Sequence, residues 1–217
     1  MGLAGDIKGK ALEAGFDLAG ITDTTALTSE QRGFFNDWLG LGFAGQMDYM
    51  GRNVRQRQNP ATVLEDAQSV ICLGLNYRPP EIPNEPLRPA IPMGRVANYA
   101  RYEDYHLFIK KLLHRLTDFI SSVAGSDVRF RVFVDSAPVA ERALAVRAGL
   151  GFIGRNHILI SPKFGPQVFL AEIITNLKLQ TDVPIKADCY NCERCIMACP
   201  TGALRADGQF DANKCIS

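Results

Sequence analysis

The sequence predicts a mixed α/β (α+β) domain over residues 1–180 followed by a small cysteine-rich metal module over residues 181–217. Three observations carry this reading. Helical-period segments alternate with β-branched apolar runs through the first part of the chain. The chain has 217 residues, 47% of them apolar, which is enough for one substantial core. Five of the six cysteines crowd between Cys189 and Cys215.

Taken in order, Ile7–Gly15 reads as a short helix stopped by its glycine, and Phe16–Thr22 follows as a strand. Thr28 and Gln31 have capping-box spacing ahead of an apolar run, so a helix is predicted there. Residues 41–66 read as irregular, and Ser69–Tyr77 as a buried strand. The six prolines between Arg78 and Gly94 exclude both a helix interior and a central strand. From Asp104, apolar positions 105, 108, 109, 112, 113, 116, 119, 120 and 123 keep a helical period, with Lys110, Lys111, His114 and Arg115 on the opposite face. Val128–Val134 is a strand by β-branched and aromatic content, and it delivers Asp135 at its end. Pro138 to Ala148 reads as a helix with proline in its first turn and Gly149 as its stop. A second strand pair is expected at His157–Ser161 and Gln167–Thr175. The composition changes at Asp188, and no repeat or low-complexity tract is found.

The charge balance, 24 basic against 23 acidic residues, excludes bulk electrostatics as the means of holding a polyanion. Any nucleic-acid contact must use a local patch. No segment approaches the roughly 20 apolar residues of a membrane span, and the N-terminus lacks a signal-peptide layout. A cytoplasmic protein is expected, and in a reducing compartment clustered cysteines favour metal ligation over disulfides.

The most specific motif is Cys189-Tyr-Asn-Cys192-Glu-Arg-Cys195-Ile-Met-Ala-Cys199-Pro200, which has the C-x2-C-x2-C-x3-C-P spacing of bacterial [4Fe–4S] ferredoxins. Two-residue gaps let one backbone turn present three thiolates to a cluster, while the cysteine before proline points to a second cluster. A zinc site or a set of free thiols is the plainer reading. Structural zinc more often takes two well-separated cysteine pairs, which fits this spacing poorly. Two clusters need four thiolates each, and this tail holds only Cys189, Cys192, Cys195, Cys199 and Cys215. The count leads us to expect a longer protein carrying another C-x2-C-x3-C-P beyond residue 217. Cys72, in an apolar strand, reads as a packed core thiol.

Three further stretches are informative together: Val134-Asp135-Ser136-Ala137-Pro138-Val139-Ala140-Glu141-Arg142, Arg147-Ala148-Gly149-Leu150-Gly151-Phe152-Ile153-Gly154-Arg155-Asn156, and Phe164-Gly165 with Phe169-Leu170-Ala171-Glu172-Ile173. They run into the cysteine tail in a pattern that resembles the epoxyqueuosine reductases. Supporting matches at Trp38-Leu39, Met47-Asp48-Tyr49-Met50, Arg57 with Pro60, Leu75-Asn76-Tyr77 and Asp104-Tyr105-His106 extend the resemblance over nearly the whole chain.

The resemblance implies a cobalamin-binding reductase domain followed by part of a ferredoxin-like domain, with cobalamin and two [4Fe–4S] clusters as cofactors. It also implies reduction of epoxyqueuosine to queuosine at the tRNA wobble position by a monomer that takes electrons from a separate donor. In this reading Asp135 is the proton donor, and Arg57, Asp135, Arg142, Asn156 and Ser217 contact cobalamin. A donor acid eases the departure of an oxygen that would otherwise leave as hydroxide, and burial can raise a carboxyl far enough to act near neutral pH. Read without the resemblance, Asp135 is a cap for the helix starting at Pro138, and Arg57, Arg142 and Asn156 are ion-pair or turn residues.

One departure is visible, because some members carry a cysteine where this chain has Ala97. His106 reads as a catalytic or RNA contact, or as a helix-start packing residue. The Lys110, Lys111, His114 and Arg115 face reads as solvated or as an RNA patch. The other enzyme reading is a corrinoid reductase of the dehalogenase type, which commonly uses a tyrosine and a basic residue as proton source. The non-catalytic reading is an electron-transfer or cobalamin-carrier protein.

Overall fold

A computed structural model of the chain describes residues 2–79, 94, 96–135 and 137–216. Most of the proline-rich segment, and with it the predicted loop, lies outside the described residues, as do Ser136 and Ser217.

In chain order the elements are α1 (Leu3–Ala14), β1 (Leu18–Asp23), α2 (Ser29–Gly40), α3 (Val54–Gln58), β2 (Ser69–Asn76), α4 (Tyr105–Ala124), β3 (Phe130–Phe133), α5 (Glu141–Arg147), β4 (Phe152–Ile153), β5 (Leu159–Ile160), β6 (Val168–Thr175) and α6 (Arg194–Ala198). Four strands form an antiparallel sheet in the order β1-β2-β6-β3, and β4 with β5 makes a separate hairpin. The sheet lies between two helical layers. Ile7 and Ala11 of α1, and Ile109, Leu112, Leu113, Leu116 and Ile120 of α4, pack on the face carrying Ile71, Leu73, Ala171 and Ile173. On the opposite face, α5 brings Leu144 and Ala145 against Val70, Cys72 and Ile174. Both faces of the middle strands are buried, which explains why β2 reads as a nearly continuous apolar run rather than an alternating one.

Local chemistry sets several element ends. Gly15 adopts φ 118°, closing α1 with its N–H on the Leu12 carbonyl, a backbone state that glycine takes without penalty. The predicted capping box starts α2, with Gln31 N–H donating to Thr28 Oγ1 at 3.2 Å and Thr28 N–H to Gln31 Oε1 at 3.1 Å. Asp104 caps α4 through the His106 N–H, and Ile109, Leu112, Leu113, Leu116 and Ile120 of the predicted stripe face the core while Phe108 and Val123 are exposed. Gly20 lets the end of α5 press onto β1, since a Cβ there would stand 2.1 Å from the Ala148 carbonyl oxygen.

Three expectations are corrected. The helix predicted from Pro138 starts at Glu141, because Val139 N–H turns back onto the Ala137 carbonyl at 2.9 Å and Pro138 precedes the first helical turn. His157–Ser161 and Gln167–Thr175 do contain strands, but β5 pairs with β4 and β6 inserts between β2 and β3. Residues 41–66 hold short helical turns at Asp48–Gly51, Val54–Gln58 and Pro60–Thr62, interrupted by left-handed residues at Gly42, Gly45, Asn53 and Asp66.

The tail packs on the body rather than trailing from it. Trp38 Nε1 donates to the Phe210 carbonyl at 2.6 Å, Ala212 N–H to the Phe43 carbonyl at 2.8 Å, and Asn213 Nδ2 to the Gly42 carbonyl at 2.9 Å. Among the described residues no helix is long and apolar enough to cross a membrane. Leu113 is fully buried between α4 and the sheet. Leu113→Ala is expected to lower the unfolding free energy by about 2–5 kcal/mol, read from the urea midpoint.

Candidate active site

The end of β3 carries the chain into Val134 and Asp135, and Asp135 holds φ 60°, a left-handed state that Asp tolerates better than branched residues. Its side chain is 62% exposed, so one side of the carboxyl is open to an incoming group. The helix after it begins at Glu141 with Ala140 as N-cap and no side-chain cap, which removes the capping role for Asp135.

Tyr105, the first residue of α4, donates its hydroxyl to Asp135 Oδ2 at 2.5 Å. Its ring stacks on Phe169 of β6 at 4.0 Å between centroids and 7° between planes, and Phe169 in turn meets Tyr77 at 4.3 Å. This aromatic stack fixes the hydroxyl. Burial, then the hydrogen bond to Asp135 and its charge, push the Tyr105 hydroxyl well above the usual phenol range, so it stays a donor. His106 stands between two carboxylates: Nδ1 is 2.8 Å from Asp104 Oδ1, and Nε2 is 3.8 Å from Asp135 Oδ2.

Behind Asp135 lies Glu141, whose carboxyl accepts the Asp135 backbone N–H and is pushed up to about 7, by burial first and the Asp135 charge second. Arg142 and Arg57 pull it the other way. Arg142 donates to the His157 carbonyl, and Arg57 Nη2 lies 3.4 Å from the Tyr49 carbonyl with its guanidinium 6.0 Å from the Tyr49 ring. Asn156 sits in the β4–β5 turn beside His157, its Oδ1 accepting the Ile158 N–H at 3.2 Å. Glu141 therefore draws Asp135, Arg142 and Arg57 into one electrostatic group, with Asn156 adjoining through the turn. Arg57 Nε and Glu141 Oε1 are buried without a hydrogen-bond partner among the described residues. A donor and an acceptor left over in this way fit the amide fringe of a corrin.

In the tail, Cys192 is exposed and Cys189, Cys195, Cys199 and Cys215 are half-buried, all as free thiols. Backbone N–H groups, that of Leu204 first, draw the Cys199 thiol down to about 7, towards the thiolate that metals bind. The Arg155 N–H points at Cys189 Sγ at 3.4 Å, and an open cleft of about 400 Å³ lies beside them, lined by Ile153, Asp188, Tyr190 and Asn191. Among the described residues no three His, Cys, Asp or Glu side chains are gathered closely enough to hold a metal ion. The donor chemistry of these thiols suits an iron–sulfur cluster. Cys72 is buried as expected of a core thiol.

Tyr105, Glu141 and Glu172 stand in the sequence only as members of longer motifs, and sequence reasoning gave them no role. A visible signal existed for Glu172, an acidic residue in the middle of the apolar run Val168–Thr175.

Known proteins share this fold. The family model described as "Epoxyqueuosine reductase QueG, DUF1730" matches residues 57–136. The epoxyqueuosine reductase of Cyclobacterium marinum is 42% identical over 97% of this chain and 66% of its own length, and that of Leadbetterella byssophila is 41% identical over 98% and 67%. A crystal structure of epoxyqueuosine reductase with an epoxyqueuosine-modified tRNA-Tyr stem loop superposes with a TM-score of 0.88 at 31% identity, covering 99% of this chain and 56% of that one. A Bacillus subtilis epoxyqueuosine reductase whose catalytic aspartate loop is swung out of the active site gives 0.87 at 31% identity, with the same coverage of 99% and 56%. Fold and relatives together define a mixed α/β domain of the kind these reductases carry. The chain belongs to the epoxyqueuosine reductase family, and it spans about two thirds or less of the length of these four relatives.

The Glu141 environment has a measurable consequence for folding. Its carboxyl titrates from about 7 in the folded chain against 4.5 as an ordinary glutamate, so the folded state binds the extra proton between those values. This contribution to stability is fully present below the unfolded value and is lost as pH rises through about 7. Denaturant midpoints are expected to fall over that window, and Glu141→Gln to flatten the fall.

Proposed function

We propose that this chain is the catalytic part of an enzyme that reduces epoxyqueuosine to queuosine in tRNA. The observation that carries the reading is the Tyr105–Asp135 contact at 2.5 Å on an otherwise open carboxyl, in a chain of this family. Tyr105 aims the Asp135 side chain from one side and leaves its other oxygen for substrate. Asp135 delivers a proton to the epoxide oxygen as its C–O bond breaks, so that oxygen departs as a neutral group instead of an anion. The loop between β3 and α5 holds this acid, and the Bacillus subtilis relative has a catalytic loop named for an aspartate. The tRNA stem loop bound to a structural relative supports tRNA as the partner.

Arg57, Arg142 and Asn156 would hold cobalamin, and Cys189, Cys192, Cys195, Cys199 and Cys215 would ligate [4Fe–4S] clusters. Bound cobalamin, reduced through the clusters, supplies the two electrons. The unpartnered Arg57 and Glu141 atoms and the lowered Cys199 thiol support this assignment. A tyrosine at the site invites comparison with dehalogenase-type reductases. Tyr105, however, is held as a donor to Asp135 with its proton tightly retained, so the carboxyl is the better acid.

Turnover of epoxyqueuosine-containing tRNA by the full-length, cofactor-loaded protein tests the reading. Asp135→Asn is expected to keep cobalamin binding while lowering turnover by about two to four orders of magnitude. Unchanged turnover in that variant, or dehalogenation of a small molecule with no queuosine formed, would sink it.

A further inference from the structure

The turn Asn98–Ala100 is fixed at the end of the sheet that carries the site. Asn98 Nδ2 donates to Gln167 Oε1 at 2.8 Å and the Gln167 carbonyl accepts the Tyr77 N–H at 3.0 Å, so the turn sits where β2 ends and β6 begins. Tyr77 opens the aromatic stack that passes through Phe169 and Tyr105 to His106, whose Nε2 lies 3.8 Å from Asp135 Oδ2. Tyr99 adjoins that stack, since burial first and Tyr99 second push the Tyr77 hydroxyl up. Yet Tyr99 is 53% exposed, and Tyr102 is 54% exposed. Beyond them α4 leads away from the Asp135 corner with Leu107, Lys110, Lys111, His114 and Arg115 exposed. No acidic residue occurs from Tyr105 to Thr117, in a chain whose net charge is only +1. The adjoining acids are Glu103 and Asp104, and Asp104 is engaged by His106 Nδ1 at 2.8 Å. From Tyr105 to Arg115 the helix covers about 15 Å.

We propose that Tyr99 and Tyr102 stack the unpaired nucleotides beside the base presented to Asp135, while Lys110, Lys111 and Arg115 hold the phosphates of the same RNA loop. This deepens the tRNA reading above and rests on it. Exposed aromatic rings followed by a row of cations are the means by which proteins grip a single strand: bases stack on the rings and the backbone follows the charge. A paired stem keeps its base faces covered, so the tyrosines select an open loop over a duplex. The core of a protein-docking face is, by contrast, depleted of lysine, whereas Lys110 and Lys111 directly continue this aromatic corner. Because Asn98 ties the turn to the sheet end that bears Tyr77 and Phe169, a loop stacked there is held next to the Asp135 carboxyl.

Binding of an epoxyqueuosine-containing anticodon stem loop to the full-length, cofactor-loaded protein tests the platform, with Kd read from fluorescence anisotropy. Tyr99→Ala and Tyr102→Ala are each expected to weaken binding roughly five- to hundredfold. A 2-aminopurine placed beside the modified base should be quenched in the unaltered complex and regain its fluorescence in these variants. Tyr99→Phe and Tyr102→Phe keep the ring and should bind as the unaltered protein does, which separates stacking from a folding defect. Lys110→Ala and Lys111→Ala are each expected to lower the slope of log Kd against log salt concentration by about 0.7. The platform is overturned, and the proposed function left standing, if both alanine variants bind the stem loop with unaltered affinity while the unaltered protein converts it. Unaltered RNA binding with slower reduction by a protein electron donor also overturns it, and makes this face a protein interface. An unaltered protein that neither binds nor converts the stem loop strikes the proposed function, and the platform with it.

Discussion

Helices cover both faces of the main sheet, and this burial decides where charge is allowed. Most of the middle strands obey it with Val, Ile and Leu, so that β2 and β6 form the dry centre of the molecule. Glu172 is the exception, an acid in a position where burial forbids a charge. Its neutral form lets the sheet tolerate it, and it lies on the strand whose neighbour leads directly into Asp135. Packing and chemistry thus meet at one register position.

The acidic group is assembled from four elements spread over residues 105–172. Tyr105 arrives from the start of α4, Asp135 from the end of β3, Glu141 from the start of α5 and Glu172 from β6. Each location exploits an element end or a buried strand, where side chains are held by neighbours rather than by their own rotamer preference. The aromatic stack from Tyr77 through Phe169 to Tyr105 supplies rigidity on one side. On the other side the carboxyl of Asp135 remains open. A firmly held back and a free front suit the proton-donor role proposed for Asp135.

The cysteine tail is coupled to the same body. Asp182 accepts the Ile21 N–H and pairs with Lys8 at 2.6 Å, so the chain just past residue 180 is still bound to α1 and β1. Trp38, Phe43 and Gly42 then grip the segment around Phe210 to Asn213. The turn 154–157 touches both regions, with Arg155 N–H at Cys189 Sγ and the His157 carbonyl taking the Arg142 guanidinium. This short turn links the cysteine-rich tail to the acidic group.

By itself the sequence determined the local features. The Thr28–Gln31 capping box, the stop at Gly15, the apolar stripe of α4, the buried run of β2 and the cysteine spacing all depend on residues within one or two turns of each other, where propensity and periodicity act directly. The stretch Val134–Arg142, through the resemblance it carries, led to the expectation of Asp135 as proton donor. Tertiary structure alone decided that β6 enters between β2 and β3, since strand partners are chosen by burying two apolar faces at once and not by neighbouring residues. It also decided that Tyr105 meets Asp135, that Glu141 gathers the two arginines, and that Glu172 is sealed from water. Those outcomes are set by long-range contact and by the cost of charge in a dry interior, neither of which is visible in the spacing of residues along a chain.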